Sequence, residues 1–222
     1  MLESVNMFEK IYIKQIIIPL LSFICLGAAL NAQTNDTRYV TQAGSRLWIE
    51  GTSTVDSFTC TTGQVNGYAE IINSTNMNDN SIRKDKVEVT VPVFTLDCGK
   101  SIMNDDMYNA MKASKYPMIK YELVKAHIAS KIDTAAGWFT IETLGYLTIA
   151  GVKNEVNIQI NVQKLPDGRF RLTGKKSLSM LDFGITPPSH FFGLIRAHDQ
   201  LVVNFDLIAS RDAGFVKTDI RH

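Results

Sequence analysis

The sequence predicts an all-β domain: a closed antiparallel β-barrel of about eight strands with one short α-helix, after an N-terminal signal peptide. Three observations lead to this fold class. Apolar and polar residues alternate with a period of two in many short runs, which is typical of half-buried strands. Turn-forming residues separate those runs, and only one segment shows helical spacing.

The composition fits one compact domain. The chain has 222 residues, of which 45% are hydrophobic and 20% are charged, so it can bury a core. Lysine plus arginine number 23, aspartate plus glutamate number 22, and the net charge is +1. Because nucleic-acid binding depends on neutralising phosphates, this balance without a basic cluster argues against a nucleic-acid partner.

The N-terminal segment has the parts of a secretory signal peptide. Residues 16–30 form an uncharged apolar run, with Lys10 and Lys14 before it and the small residue Ala32 after it. The run is shorter than the roughly 20 apolar residues that a membrane-spanning helix needs. We expect a signal peptide over residues 1–32 and a periplasmic or secreted domain over 33–222. The alternative is a retained N-terminal anchor.

Alternating runs predict the strands in chain order. The first lies at Leu47 and Ile49, and another covers residues 65–72. Each later run places its apolar residues on one strand face. These residues are Val87, Val89, Val91 and Val93; Ile119, Tyr121 and Leu123; Phe139 and Ile141; Leu147 and Ile149; Val156, Ile158, Ile160 and Val162; Phe170 and Leu172; and Leu201, Val203, Phe205 and Leu207.

Turn residues connect the runs. Asp167-Gly168 is a hairpin signal, and residues 135–137 and 150–154 join other pairs. Pro92 has no backbone N–H to donate to a neighbouring strand, so its strand should lie at an edge or end in a bulge there. An exposed edge near Pro92 would allow a homodimer.

One segment, Asn104 to Lys115, is predicted as the helix. Asn104 is a suitable N-cap, and Asp105 and Asp106 would complement the helix dipole in the first turn. Pro117 should stop the helix. The apolar residues at helical spacing are Met103, Met107, Ala110 and Met111. We expect this face to pack on the core, the alternative being a partner-binding face.

The sequence offers little for catalysis or metal binding. It contains neither a Gly-rich nucleotide loop nor a G-x-S-x-G motif. His190, His198 and Asp199 could join a nearby serine as a hydrolase triad only through folding, because triads assemble in space. The histidines do not have metal-ligand spacing. We therefore predict no catalytic residue, no metal site and a protein that is not an enzyme.

Two cysteines, Cys60 and Cys98, belong to the predicted mature domain. Export to an oxidising compartment would favour a disulfide between them. The alternative is two separate buried thiols, since the sequence does not give the Cα separation on which the bond depends.

Residues 186–199 are predicted as a loop after Pro187-Pro188. The loop nevertheless contains large apolar residues, namely Phe191, Phe192, Leu194 and Ile195. These residues either cap the core or form a lid over a cavity inside the barrel.

Five blocks, in chain order, carry a resemblance to a known family. They are GTSTVDSFTC (Gly51 to Cys60), MNDDMYNAMKASKYP (Met103 to Pro117), GYLTIAGV (Gly145 to Val152), LDFGI (Leu181 to Ile185) and HDQLVVNFDL (His198 to Leu207). With these blocks the chain resembles the YceI-like family of exported, lipocalin-like barrels, some of which bind polyisoprenoids. It departs from the family pattern at Asp56 and Phe58, where relatives often carry His and Trp.

The resemblance implies an exported protein that holds a polyisoprenoid or similar long apolar lipid inside the barrel, for carriage or storage without catalysis. The ligand would be an isoprenoid quinone, a prenol or another lipid, with no other cofactor. Membrane contact would serve only ligand exchange. The alternatives are a structural or stress-response interaction module with a filled barrel and, with less support, a hydrolase.

Strand alternation supplies the candidate barrel lining, and an eight-stranded barrel has room for one small ligand. Tyr121 could also offer its hydroxyl to a ligand head group. The candidates are Val89, Val91, Tyr121, Leu123, Phe139, Ile141, Leu147, Ile149, Ile158, Ile160, Phe170, Phe183, Val203 and Phe205.

Overall fold

The structure is a computed structural model that describes residues 37–71, 85–129, 137–190 and 194–215. The signal peptide expected over residues 1–32 lies outside the described residues and stays a prediction. Within these ranges, no helix combines the length and apolar character needed to span a bilayer.

Antiparallel strands make up most of the described residues, as the alternation predicts. The strands are β1 (Thr37–Thr41), β2 (Arg46–Ser53), β3 (Ser57–Thr62), β4 (Asn66–Ile71), β5 (Lys86–Pro92), β6 (Met118–Ile128), β7 (Trp138–Ile149), β8 (Val152–Lys164), β9 (Phe170–Ser179), β10 (Ser189–His190) and β11 (Ile195–Arg211). Helix α1 (Ser101–Ala110) follows β5, and 3-10 turns cover Val93–Thr95 and Leu181–Phe183. The sequence analysis missed β1, β3 and the two-residue β10.

The strands close into a barrel, which confirms the predicted fold class. Around the ring the order is β1, β4, β5, β6, β7, β8, β9 and β11, and β11 pairs back with β1. The wall that begins with β1 and β4 is continued by β2 and β3. The long strand β11 pairs with β1 at Ala209, and from Asp206 toward its own N-terminal end it pairs with β2. The first and last parts of the described chain therefore close the ring together.

Two of the predicted turns are confirmed. Ala150 and Gly151 connect β7 to β8 with φ angles of 50° and 83°, the left-handed pair that a two-residue hairpin turn needs. Gly168, with φ 83°, follows Asp167 between β8 and β9. The turn predicted at residues 135–137 lies mostly outside the described residues.

The predicted bounds of the helix are wrong at both ends. α1 begins at Ser101, so Asn104 is not its N-cap. Instead, the Asn104 amide oxygen accepts a hydrogen bond from the Cys98 backbone N–H at 2.7 Å, and its Nδ2 donates to Asp97 at 2.9 Å. The helix ends at Ala110, and Lys112 at φ 53° turns the chain before Pro117 is reached.

The predicted exposed edge at Pro92 is also wrong. β5 pairs with β4 on one side and with β6 on the other, so it is an internal strand of the barrel. The strand ends at Pro92, where the chain enters a 3-10 turn instead of a bulge. A homodimer stays a prediction, without the edge that motivated it.

The buried apolar core lies at the end of the barrel that carries α1, which we call the helix end. The 3-10 turns and the β7–β8 turn meet α1 there. The buried residues of this cluster are Val93, Met111, Ala113, Ala150, Met180, Phe183 and Ile185. Met107 and Ala110 of α1 pack against this cluster, as expected for the apolar face of the helix.

The outer face of the barrel carries an ion pair between β9 and β11. Arg171 donates from Nε and Nη2 to the two carboxylate oxygens of Asp206, both at 2.8 Å. These hydrogen bonds, opposed by partial burial, lower the pKa of Asp206 below its ordinary value.

Replacing Asp206 with asparagine should flatten the acid side of the stability curve. Because folding lowers the pKa of Asp206, the wild type has this stabilisation at neutral pH and loses it as the pH falls through the folded pKa. At neutral pH the variant should lose about 1 kcal/mol, since Arg171 is partly exposed. Urea unfolding at neutral and acid pH measures the difference. An identical pH dependence in the two proteins would contradict it.

Candidate ligand-binding site

An apolar cavity of about 830 Å³ lies inside the barrel. Small-molecule sites typically occupy roughly 300–1,000 Å³. Strands β2, β3, β5 to β9 and β11 contribute to the wall together with α1, mostly through aliphatic and aromatic side chains. The described barrel is therefore hollow on the side of the helix end.

Strand register arranges part of this wall in layers. Three successive layers cross β2, β11 and β9. From the helix end inward they are Gly51–Leu201–Leu178, Ile49–Val203–Lys176 and Leu47–Phe205–Gly174. Within these layers the one charged side chain is that of Lys176, which also lines the cavity.

Three aromatic rings of the wall lie against glycines on neighbouring strands. The pairs are Phe58 with Gly51, Tyr121 with Gly145 and Phe205 with Gly174. A Cβ on Gly145 would lie 2.5 Å from the Tyr121 ring, and one on Gly174 would lie 2.5 Å from the Phe205 ring. Each ring thus lies against the wall, in the space that a side chain larger than glycine would fill at the neighbouring position. This packing keeps the centre of the barrel open.

Most of the predicted lining residues lie on the cavity wall. They are Val89, Val91, Tyr121, Leu147, Ile149, Ile158, Ile160, Phe183, Val203 and Phe205. Wall residues that the prediction omitted include Leu47, Ile49, Ile119, Leu178 and Leu201. Ile119 and Leu201 belong to alternating runs that the sequence showed, so the same signal could have found them. Met103 and Met107 of α1 line the cavity, and Met107 also packs on the core.

The other predicted lining residues do not reach the cavity. They are Leu123, Phe139, Ile141 and Phe170. Each shares a strand face with residues that do line it, but lies further from the helix end. There the Tyr39 ring meets the Phe170 ring edge-on at 5.5 Å between centroids, and Val162 is buried opposite Phe139.

A short hydrogen-bond chain links the neighbouring strands β6, β7 and β8 beside the cavity. The Tyr121 hydroxyl donates to Thr143 Oγ1 at 3.0 Å, and the Thr143 hydroxyl donates to the Ile158 carbonyl at 2.9 Å. Burial raises the pKa of Tyr121, with an opposing contribution from its bond to Thr143. The phenol is therefore neutral and its proton is committed to Thr143. Its oxygen can still accept a hydrogen bond from a ligand hydroxyl.

The cavity opens between the tip of the β2–β3 hairpin and the start of α1. Lining residues that are also exposed must lie at the mouth, and they come from these two segments. Val55 on the hairpin is 66% exposed and Ile102 on α1 is 59% exposed. Asp56 and Lys100 lie beside them.

The lid prediction is only partly covered by the structure. Phe191 and Phe192 lie outside the described residues. Leu194 is 76% exposed, so it does not cap the core, and its carbonyl accepts a hydrogen bond from the Thr54 hydroxyl at 2.9 Å. Ile195 lines the cavity but belongs to β11, not to a loop, because β11 begins earlier than the sequence suggested.

The disulfide between Cys60 and Cys98 is present, and both residues line the cavity. It ties β3 to the segment that precedes α1. Thr61 and Asp97 reinforce the link through two backbone hydrogen bonds of 2.8 and 2.9 Å. The Tyr108 hydroxyl of α1 donates to the Leu96 carbonyl at 2.8 Å. The mouth is therefore anchored by a covalent bond and by hydrogen bonds.

Of the polar residues considered for hydrolysis, His198 and Asp199 form hydrogen bonds with separate partners. His198 Nδ1 lies 2.8 Å from the Thr52 hydroxyl. Asp199 accepts from the Leu181 backbone N–H at 2.9 Å, and its hydrogen bonds with Ser179 and Leu181 lower its pKa. No three His, Cys, Asp or Glu side chains converge anywhere in the described ranges.

Comparison with known proteins places this architecture in a family. The model of the YceI-like domain matches residues 39–209. The Burkholderia cenocepacia protein BcnA superposes with a TM-score of 0.61 at 16% identity, over 77% of this chain and 99% of that one. A polyisoprenoid binding domain from Saccharophagus degradans, implicated in plant cell wall breakdown, gives a TM-score of 0.57 at 13% identity, over 79% and 98%. No curated protein matches the chain significantly. Since the domain match covers more than half of the chain, the protein belongs to the YceI-like family.

Proposed function

We propose that this protein is a carrier or store for a polyisoprenoid or a similar long apolar lipid, which it holds in the barrel without chemical change. The observation that carries the proposal is the apolar cavity of about 830 Å³ inside the barrel, which opens at the mouth. The described similarity to a polyisoprenoid binding domain supports the ligand class.

Hydrophobic burial supplies the binding energy in this proposal. Each methylene group taken out of water contributes about 0.8 kcal/mol, from which association and ordering costs are subtracted. Contacts of this kind depend on the shape of the chain and its length. An isoprenoid quinone and a prenol both suit such a wall. The candidates for binding are the predicted lining residues that lie on the cavity wall.

The filled-barrel alternative has less support. A barrel that served only as a structural module would gain stability by filling its interior, because empty space costs packing energy. Here Gly51, Gly145 and Gly174 instead give three aromatic rings room against the wall. The open centre is thus built into the sequence of the strands.

Export is the second part of the proposal. Disulfides persist in oxidising compartments, so the Cys60–Cys98 bond supports a periplasmic or secreted location. A signal peptide over residues 1–32 would deliver the domain there. The ligand would enter and leave through the mouth during contact with a membrane.

A substitution that fills the cavity tests the proposal. Val203→Phe adds a ring in the middle of the wall, so lipid binding should fall at least tenfold while the fold is kept, because the space is vacant. Val202→Phe is the matched control, since Val202 is on the opposite face of the same strand, and its binding should match the wild type.

The measurement has two parts. The domain purified from its native host is extracted for lipid mass spectrometry, and the delipidated protein is titrated with a prenol and an isoprenoid quinone. We expect a stoichiometric lipid in the wild type and in Val202→Phe, and little in Val203→Phe. A wild type without lipid that also ignores both added isoprenoids would overturn the proposal.

A further inference from the structure

Lys176 occupies an unusual place in the cavity. It lies on the inward face of β9, between Gly174 and Leu178, and lines the cavity together with Leu178. Its register partner across β11 is Val203, and the layer continues to Ile49. The layers on both sides are apolar or glycine. A lysine is thus set one layer inside the wall of a site that otherwise suits hydrocarbon.

No ion pair within the described structure neutralises this lysine. The cavity carries two carboxylates, Asp56 on the β2–β3 hairpin and Asp106 on α1. None of the ion pairs found among the described residues includes Lys176. Lys176 is half-buried on this wall. A lysine ammonium in such a place can form a charge-assisted hydrogen bond with an anion that enters the cavity.

A ligand with an anionic head group would supply a counter-ion for Lys176. We infer that the cavity binds single-chain amphiphiles whose head is anionic, a carboxylate or a phosphate, paired with Lys176. The inference rests on the proposed function, because the lipid chain would still be held by the apolar wall. It adds selectivity for charge, which the apolar wall cannot supply.

The strand register also determines what surrounds the head group of the ligand. Lys176 is one layer nearer the interior than Leu178 and Leu201, so the head would be partly shielded from solvent. A charge-assisted hydrogen bond is stronger in such surroundings than at the surface. The hydrocarbon chain of the ligand would extend along the remaining apolar wall of the cavity, including the part beneath α1. A neutral head would leave Lys176 unpaired.

Matched probes test the inference on the delipidated domain. Geranylgeraniol and geranylgeranyl phosphate share one chain, as do hexadecanol and palmitate. We expect the wild type to bind at least one anionic member about tenfold more tightly than its neutral partner, the effect of one charged hydrogen bond. The phosphate pair and the carboxylate pair distinguish the two head-group sources.

Lys176→Met keeps the length of the side chain and removes its charge. The variant should lose the preference for the anionic probe, while its affinity for the neutral alcohol stays equal or rises. Lys176→Arg should keep the preference. Lys175→Met, on the outward face of β9, is the control and should behave as the wild type.

The outcomes separate the two proposals. If the wild type binds the alcohols and the anions equally, and Lys176→Met changes neither, the inference is wrong and lipid binding stands. If no probe binds, the proposed function itself fails. A folded Lys176→Met protein, checked by circular dichroism, is needed for the comparison. A lysine replaced by methionine on an apolar wall is expected to fold.

Discussion

Replacing Cys60 and Cys98 together with alanine should lower the free energy of unfolding by about 3–4 kcal/mol, the loss expected when a cross-link across a loop of this size is removed. The two residues are separated by 38 positions, and that loop contains β4 and β5. Alanine is preferred to serine because Cys60 is buried, where a hydroxyl would lack a partner. Urea unfolding of the double variant measures the loss.

Reduced wild-type protein is the matched control for this variant. Dithiothreitol breaks the cross-link without changing side-chain volume, so the reduced protein should be destabilised by a similar amount. Ligand release should also become faster in both, because the segment before α1 is then held at the mouth by hydrogen bonds alone. If reduction leaves stability unchanged while the alanine variant is weakened, packing at Cys60 is responsible and the cross-link is not.

Gly145→Val should destabilise the protein by roughly 1–3 kcal/mol, the usual cost of forcing extra atoms into a packed site. The new Cβ would collide with the Tyr121 ring, which must then swing into the cavity. That movement would break the hydrogen bond from Tyr121 to Thr143 and occupy part of the cavity. Binding of a prenol should therefore fall along with stability.

A double-mutant cycle isolates this contact. In a Tyr121→Ala background the ring is gone, so Gly145→Val should cost much less than in the wild type. The coupling between the two positions, measured by chemical denaturation, should exceed about 1 kcal/mol. Additive effects would show that the ring does not need the glycine, and would remove the argument that these glycines keep the barrel hollow.

The faces of the strands could be predicted from the sequence, because alternation with a period of two depends only on which side is buried. The position of each residue along the barrel axis could not be predicted in this way. Phe139 and Leu147 lie on the same face of β7, yet only Leu147 reaches the cavity. What separates them is the pairing register, which sets Leu147 opposite Asn154 near the helix end and Phe139 opposite Val162 near the far end of β8.

Two further features depended on contacts that local patterns do not contain. Asn104 has the chemistry of an N-cap, but its side chain is bound to Cys98 and Asp97, so the helix begins earlier. Lys176 follows Lys175, and a pair of lysines suggests an exposed segment. Gly174 also interrupts the apolar alternation of β9 just before it. Only the continuation of β9 to Ser179 places Lys176 inside the barrel.

Closure of the ring by β11 has a consequence for the timing of synthesis. Ile208 donates its backbone N–H to the Ser45 hydroxyl across 163 positions of sequence, and the whole wall around this bond has the same long range. Contacts between residues so far apart in the sequence form slowly. A nascent chain that lacks β11 also leaves two long strand edges without partners. Under the proposed function, the barrel could enclose a lipid only after the last strand is made. The lipid would then enter the completed barrel through its mouth.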